Sequence, residues 1–258
     1  MPPALVRPTE PVAGRAACAH HYVMTDITPA HDVFLEVFDG GSTQELAAGD
    51  VLLNAGAPAD HVYNIESGML MVSRTGGDGR RQVLSFLVRD NFVGLTATDH
   101  YFFTVEAVMP SRVVGCSRRT LTARLAADSE SERTFVNMLF RVLEDAFDMV
   151  YNLGQRTAVE RLAVFLLYMR YWVRLSERIT DDANPILNSV SLPMSREDIA
   201  DFLGLKKETV SRSFRQLEER GLISRRERNG VQIEALAALR ELAGISDFAS
   251  PRRLGRIR

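Results

Sequence analysis

The chain has 258 residues, of which 46% are hydrophobic and 25% charged, and 31 Lys+Arg against 33 Asp+Glu leave a formal net charge of −2. This composition fits a folded globular protein and excludes a disordered, collagen-like or histone-like chain, although one face can still gather positive charge. The longest apolar run, Leu162 to Met169, is eight residues, far short of the roughly 20 needed to span a bilayer. No signal peptide is visible at the N-terminus, and two cysteines, Cys18 and Cys116, are too few for a disulfide framework. The expectation is a cytoplasmic protein with no membrane partner.

Residues 1–30 carry Pro2, Pro3, Pro8, Pro11 and Pro29 with little periodicity and read as a flexible N-terminal arm. A β-domain is expected over 31–125. Ten of the 17 glycines fall between Gly40 and Gly115, separating short apolar runs at Asp50–Asn54, Val62–Glu66, Met69–Arg74 and Gln82–Val88. Short strands at regular turn spacing predict a sandwich or barrel. Thr75-Gly76-Gly77-Asp78-Gly79 reads as a hairpin loop, because glycine supplies the positive φ that a tight reversal needs.

The texture then changes. From Ser129 to Arg178 there is one glycine and no proline. Phe135, Leu139, Val142, Ala146, Met149 and Leu153 recur at alternating spacings of four and three, a heptad seam along a long helix over 126–156. Such a seam packs either on a second copy of the chain or on the protein's own β-domain. A strongly apolar helix follows from Thr157 to about Leu175, with Tyr168, Tyr171 and Trp172 as packing residues. The stretch 179–194 reads as a polar, turn-rich connection, and 241–258 as a basic tail whose last segment, Pro251–Arg258, carries Arg252, Arg253, Arg256 and Arg258 and no acid.

The most informative stretch is 195–217. Ser195 and Asp198 form a helix-opening cap pair, Gly204 ends that helix after two turns, and a second helix runs from about Lys206 to Arg220 before Gly221. Ala200, Gly204 and Val210 stand at the separations of a helix-turn-helix, where a small residue, a turn glycine and a branched pin are required. On the second helix Val210, Phe214 and Leu217 make one stripe, and Glu208, Ser211, Arg212 and Arg215 make the opposite one. Between Leu205 and Gln216 four basic residues against one acid give a local charge of +3 in a net acidic protein. Arginine can pair with guanine O6 and N7, a carboxylate can accept from cytosine N4, and a small hydroxyl permits close approach, so this face suits a major groove. Arg196, Lys206, Lys207, Thr209 and Arg215 are expected on phosphates. Leu222–Ile223 and Val231–Ile233, flanking Arg225, Arg226 and Arg228, read as a two-stranded wing. Residues 157–240 thus form a winged helix-turn-helix.

These features together resemble the CRP/FNR superfamily of bacterial transcription regulators, and Glu208-Thr209-Val210-Ser211-Arg212 resembles the E-x-x-S-R signature of its FNR/FixK branch. The resemblance implies an α+β fold with a β-roll sensor-like domain, a long dimerisation helix and a winged helix-turn-helix. It also implies a homodimer reading a TTGAT-N4-ATCAA-like palindrome in double-stranded DNA through Glu208, Ser211 and Arg212, and touching RNA polymerase as an activator. It favours the 135–153 seam as the dimer interface. The departures matter as much. Leu95 stands where cyclic-AMP-binding members have a glutamate, and Phe103 where they have the phosphate-binding arginine, so a buried cyclic phosphate would lack compensation. Two cysteines cannot hold the four-cysteine iron–sulfur cluster. Cys18-Ala19-His20-His21 shows no fourth ligand, so no metal and no cofactor is expected. Cys116 is a possible redox site, although an apolar strand favours an inert thiol. The alternatives are a ligand- or haem-dependent sensor of the same architecture and, remotely, a cupin-type enzyme, which would need a histidine–carboxylate cluster that the five histidines do not form.

Overall fold

The structure is a computed structural model that describes residues 36–177, 179–226 and 229–245. The arm over 1–30 with Cys18, His20 and His21, the tail beyond Ile245 and the wing residue Arg228 lie outside the described residues.

Eight strands form the β-roll: β1 (Ser42–Leu46), β2 (Val51–Leu53), β3 (His61–Ser67), β4 (Met69–Thr75), β5 (Arg81–Val88), β6 (Phe92–Val93), β7 (Thr104–Ala107) and β8 (Ser111–Ser117). They pair antiparallel in two four-stranded sheets, β1-β8-β3-β6 and β2-β7-β4-β5. Leu53, Tyr63, Ile65, Leu70, Val72, Val105 and Val113 fill the space between them. The second sheet is covered on its other face too. Met69, Met71, Val83, Phe86 and Val88 join a core shared with the helical half, so the period-2 alternation of β4 sends its apolar side chains into two different cores. The expected β4–β5 hairpin is present, closed by Gly76 N–H on the Arg80 carbonyl at 2.9 Å, with Gly79 at φ 79°.

Helix α1 (Arg118–Ala127) opens on Ser117, and α2 (Ser129–Gln155) opens on Asp128. The Asp128 carboxylate accepts from Glu130 and Ser131 N–H, satisfying donors that a helix start leaves orphaned, and this breaks the helical run into two. Hydrogen bonds from Ser131 and Glu130 hold the Asp128 carboxyl below the usual carboxylate range. After Arg156 the chain reverses into α3 (Ala158–Ser176), whose stretch from Leu162 to Met169 is buried on every side. Tyr168 donates its hydroxyl to the Phe86 carbonyl at 2.5 Å. The three aromatics thus pack as expected, with Tyr171 and Trp172 half-buried against the same core.

The stretch 179–194 is more ordered than its polarity suggests. It holds a 3-10 turn (Pro185–Asn188) and strand β9 (Ser189–Ser191), with Leu187, Val190, Leu192 and Met194 buried. Asp182 gathers Arg170 and Arg240, both at 2.6 Å, and although burial pushes its carboxyl up, those two guanidiniums leave it below its usual range. Helices α4 (Arg196–Leu203) and α5 (Lys207–Glu219) follow, then β10 (Ile223–Arg225), β11 (Gly230–Ile233) and α6 (Leu236–Leu242). Strands β10 and β11 pair as the expected two-stranded wing, and a third strand extends it in the order β10-β11-β9. Strand β9 supplies the third strand by pairing Val190 with Val231 across the whole helix-turn-helix.

Candidate nucleic-acid interface

Helix α4 starts in a full capping box, with Ser195 Oγ accepting from Asp198 N–H and the Asp198 carboxylate accepting from Ser195 N–H. It ends at Gly204, left-handed at φ 62°, a conformation glycine adopts without a Cβ clash. Leu205 N–H returns to the Ala200 carbonyl at 2.9 Å and closes the turn. Helix α5 then buries Val210, Ser213, Phe214 and Leu217 and exposes Glu208, Ser211, Arg212 and Arg215, the two faces the sequence predicts. Lys206, at the N-cap, and Lys207 are exposed beside them.

The exposed groups are lightly tethered. Arg212 donates to Thr209 Oγ1 at 3.3 Å, and Ser211 Oγ bonds the Lys207 carbonyl at 3.1 Å. Arg215 pairs with Glu219 at 3.6 Å, one helical turn on, an exposed pair that water competes for. These bonds leave most guanidinium donors of Arg212 and the Glu208 carboxylate directed at solvent. One ridge at the start of α5 therefore carries a bidentate donor, an acceptor and a small hydroxyl.

Arg196, one of the arginines expected on phosphates, and Arg225 of the wing are both engaged within the domain. Arg196 lies 3.7 Å over the Phe214 ring. Burial, reinforced by nearby Arg225, lowers its pKa, and its Nη1 is buried without a protein partner. In the unbound chain it packs against the underside of α5. Arg225 forks onto both Glu218 oxygens at 2.6 Å, fastening the wing to α5 and lowering the Glu218 carboxyl. Arg226 is exposed.

The seam on α2 is divided. Phe135 turns to Phe92 of the β-roll with ring centroids 6.2 Å apart, Met149 packs on the shared core, and Leu153 is half-buried near Gly204. Leu139, Val142 and Ala146 are exposed. The exposed apolar face also takes in the neighbouring Val136, Phe140, Leu143, Phe147 and Val150, with Phe147 63% and Val150 69% exposed. Phe135 and Met149 thus serve the protein's own domains, while Leu139, Val142 and Ala146 face outward in the single chain.

Residues 43–128 match the cyclic nucleotide-binding domain family, and residues 160–242 match the Crp-like helix-turn-helix domain family. The chain is 38% identical over 184 residues to the nitrogen fixation regulation protein FixK of Azorhizobium caulinodans, covering 71% of this chain and 72% of that one. The chain belongs to the CRP/FNR superfamily, in its FixK-like branch. Its fold is similar to that of FixK2 from Bradyrhizobium japonicum, with a TM-score of 0.69 at 28% identity over 78% of this chain and 96% of that one. A CooA variant from Carboxydothermus hydrogenoformans shares the fold, with a TM-score of 0.67 at 18% identity over 86% and 99% of the two chains.

In this CRP/FNR protein the loop between β6 and β7 is closed on itself. Phe103 is 6% exposed in the β-roll core beside Tyr101, at 5.9 Å between ring centroids, and Leu95 packs with Val62, Cys116 and Leu121. Arg118 donates to the carbonyls of Ala59, Thr96 and Thr98 at 2.9–3.1 Å, and Tyr101 Oη donates to the His61 carbonyl at 2.7 Å. Sequence reading missed Arg118, since its partners lie 20 to 59 residues away. Cys116 is 7% exposed, and burial pushes its thiol pKa up against the opposing charge of Arg124. A protonated, covered thiol is a poor nucleophile, which speaks against the redox role considered for it. Among the described residues no helix is long and apolar enough to cross a membrane.

Proposed function

We propose that this protein is a transcription activator that binds a TTGAT-N4-ATCAA-like palindrome as a homodimer in the cytoplasm, without cyclic nucleotide, iron–sulfur cluster or other cofactor, and without enzymatic activity. The observation that carries the proposal is the ridge of Glu208, Ser211 and Arg212, exposed above a buried Val210–Phe214–Leu217 stripe in a winged helix-turn-helix. Glu208, Ser211 and Arg212 read base edges, while Lys206, Lys207, Thr209 and Arg215 stand beside them for the phosphates. The 38% identity to a nitrogen fixation regulation protein supports the regulatory role, and activation through RNA polymerase is the expected output of that role.

Homodimerisation is supported by the outward ridge of α2, where five large apolar residues at heptad spacing face solvent in the single chain. Two copies joined there would present their α5 helices to successive major grooves, about 34 Å apart. Effector independence is supported by the closed β6–β7 loop, in which Phe103 and Leu95 occupy the positions that a phosphate site would need for polar groups.

The test is fluorescence anisotropy of the purified, unliganded protein on the palindrome and on a scrambled duplex at one salt concentration, because phosphate contacts weaken steeply with salt. Selective binding is expected, with a palindrome affinity at least about a thousandfold above the scrambled duplex. Equal affinities for the two duplexes would overturn the assignment.

A further inference from the structure

The helix-turn-helix is held by more than its peptide link to α2. Helix α4 is gripped along its length by β5 of the β-roll and at its C-terminal end by α3. At its start, Arg81, the first residue of β5, bonds Asp198 Oδ1 through Nη2 at 2.5 Å and Asp201 Oδ2 through Nε at 2.7 Å. The next residue, Gln82, donates to the carbonyls of Asp201 at 2.5 Å and Phe202 at 3.3 Å. Phe86, farther along β5, sets its ring 5.3 Å from Phe202. At the other end Arg161 gathers the Leu203 carbonyl of α4 at 2.9 Å and the Leu153 and Arg156 carbonyls of the reversal after α2 at 2.6 and 3.0 Å.

The Arg81 contact is unusual in its placement. Asp198 already serves the capping box, so one carboxylate fixes both where α4 begins and what it docks on. Burial pushes this carboxyl up, but the bonds from Ser195 and Arg81 prevail and leave it below the usual range. Asp201 carries no such local duty. Its carboxylate stands one turn farther along the same face and meets the guanidinium edge-on, so the two acids fix Arg81 in direction as well as distance. A partly buried ion pair adds little to stability once desolvation is counted, whereas it penalises every other docking of the same two surfaces. Helix α4 shares its core with α5 through Ile199, Leu203, Val210 and Phe214, so a rotation of α4 carries the reading ridge with it.

We propose that Arg81 is a positioning residue for DNA recognition: through Asp198 and Asp201 it locks α4, and with it the reading helix α5, in one orientation on the β-roll. The proposal rests on the assignment of Glu208, Ser211 and Arg212 to base reading. The β4–β5 hairpin thereby supplies a fixed mechanical link between the sensor-like domain and the reading head.

The experiment compares the full chain with R81A, R81E and the charge-swapped R81E/D201R on the palindrome and the scrambled duplex. Amide hydrogen exchange is followed over residues 81–88 and 196–205. R81A is expected to weaken palindrome binding about tenfold, a typical coupling between sites, while scrambled binding stays within about twofold because no phosphate contact is touched. R81E should weaken it further, and R81E/D201R should recover most of the loss, a rescue that mere destabilisation would not give. Palindrome binding by R81A within twofold of the parent, or no recovery in the swap, overturns the proposal. If the parent itself does not discriminate the duplexes, the base-reading assignment is what fails, and hydrogen exchange then decides the lock. Joint loss of protection on β5 and α4 in R81A upholds it, and unchanged protection refutes it.

Discussion

The β6–β7 loop and the recognition helix draw on similar side chains and use them in opposite directions. In the loop, Arg118 bonds three carbonyls, Tyr101 caps the His61 carbonyl, and Phe103 and Leu95 fill apolar space. On α5, Arg212 has one long bond to Thr209, and Glu208 and Lys207 stand in solvent. The loop consumes its donors internally and gains rigidity. The helix leaves its donors unspent above a well-packed underside. A binding surface is marked less by which polar residues are present than by how few of their bonds the protein has already made.

Breaking the closed loop should have the largest effect. Phe103→Arg restores the cation typical of nucleotide-binding relatives, yet places it in the β-roll core with no carboxylate beside it. It should lower unfolding stability by about 3–5 kcal/mol in denaturant titration, and calorimetry should detect no cyclic-nucleotide binding. On the outward ridge of α2, Phe147→Glu should weaken self-association by about 2–4 kcal/mol, visible as monomer in sedimentation. Unchanged sedimentation would place the dimer contact elsewhere.

The open face is tested by Arg212→Ala, expected to cost about 1–3 kcal/mol on the palindrome and much less on scrambled DNA. Equal losses would make Arg212 a phosphate contact. Asp145, on the inner face of α2, extends the contrast to a buried acid with an unpartnered oxygen. Burial, with added repulsion from Asp148 and Glu144, raises its pKa to about 8. The folded state therefore holds a proton that the unfolded chain releases near its ordinary value of 3.8. Stability is lost as pH rises between those values, because the folded form binds more protons there. Asp145→Asn should gain about 1–2 kcal/mol over the parent at pH 7.5 and little at pH 4.5, by melting at both pH values. A gain independent of pH would mean the carboxyl is already ionised. The smallest effect belongs to Lys206→Ala, a uniform loss of about 0.5–1 kcal/mol on both duplexes with the salt slope reduced by about one.

Much of the reading head was legible in the sequence because its signals are local. Ser195 with Asp198, the left-handed Gly204 and the two stripes of α5 each lie within a turn or two of what they control. The seam on α2 was legible in its period, but not in how much of it the β-roll would take. Phe135, Leu139 and Val142 and the neighbouring Val136, Phe140 and Leu143 repeat at the same interval; of these six only Phe135 is drawn onto the β-roll, and the other five are exposed. Strand β9 escaped notice because Ser189-Val190-Ser191 is too short to show a pattern, and Val231, the partner of Val190, lies 41 residues on. The Arg81 lock is similarly distant, spanning 117 and 120 residues. Its one visible trace was a pair of acids, Asp198 and Asp201, on the helix just before the basic face of α5.

The pairing of β9 with β11 also sets an order of events at the ribosome. The β-roll can complete its sheets once β8 has emerged, but the wing sheet cannot close until Gly230–Ile233 has left the exit tunnel. The whole helix-turn-helix is enclosed in the loop that this late contact seals. A nascent chain therefore pairs the strands of its β-roll well before it carries a reading head able to engage an operator, which confines DNA competence to chains that have extended past β11.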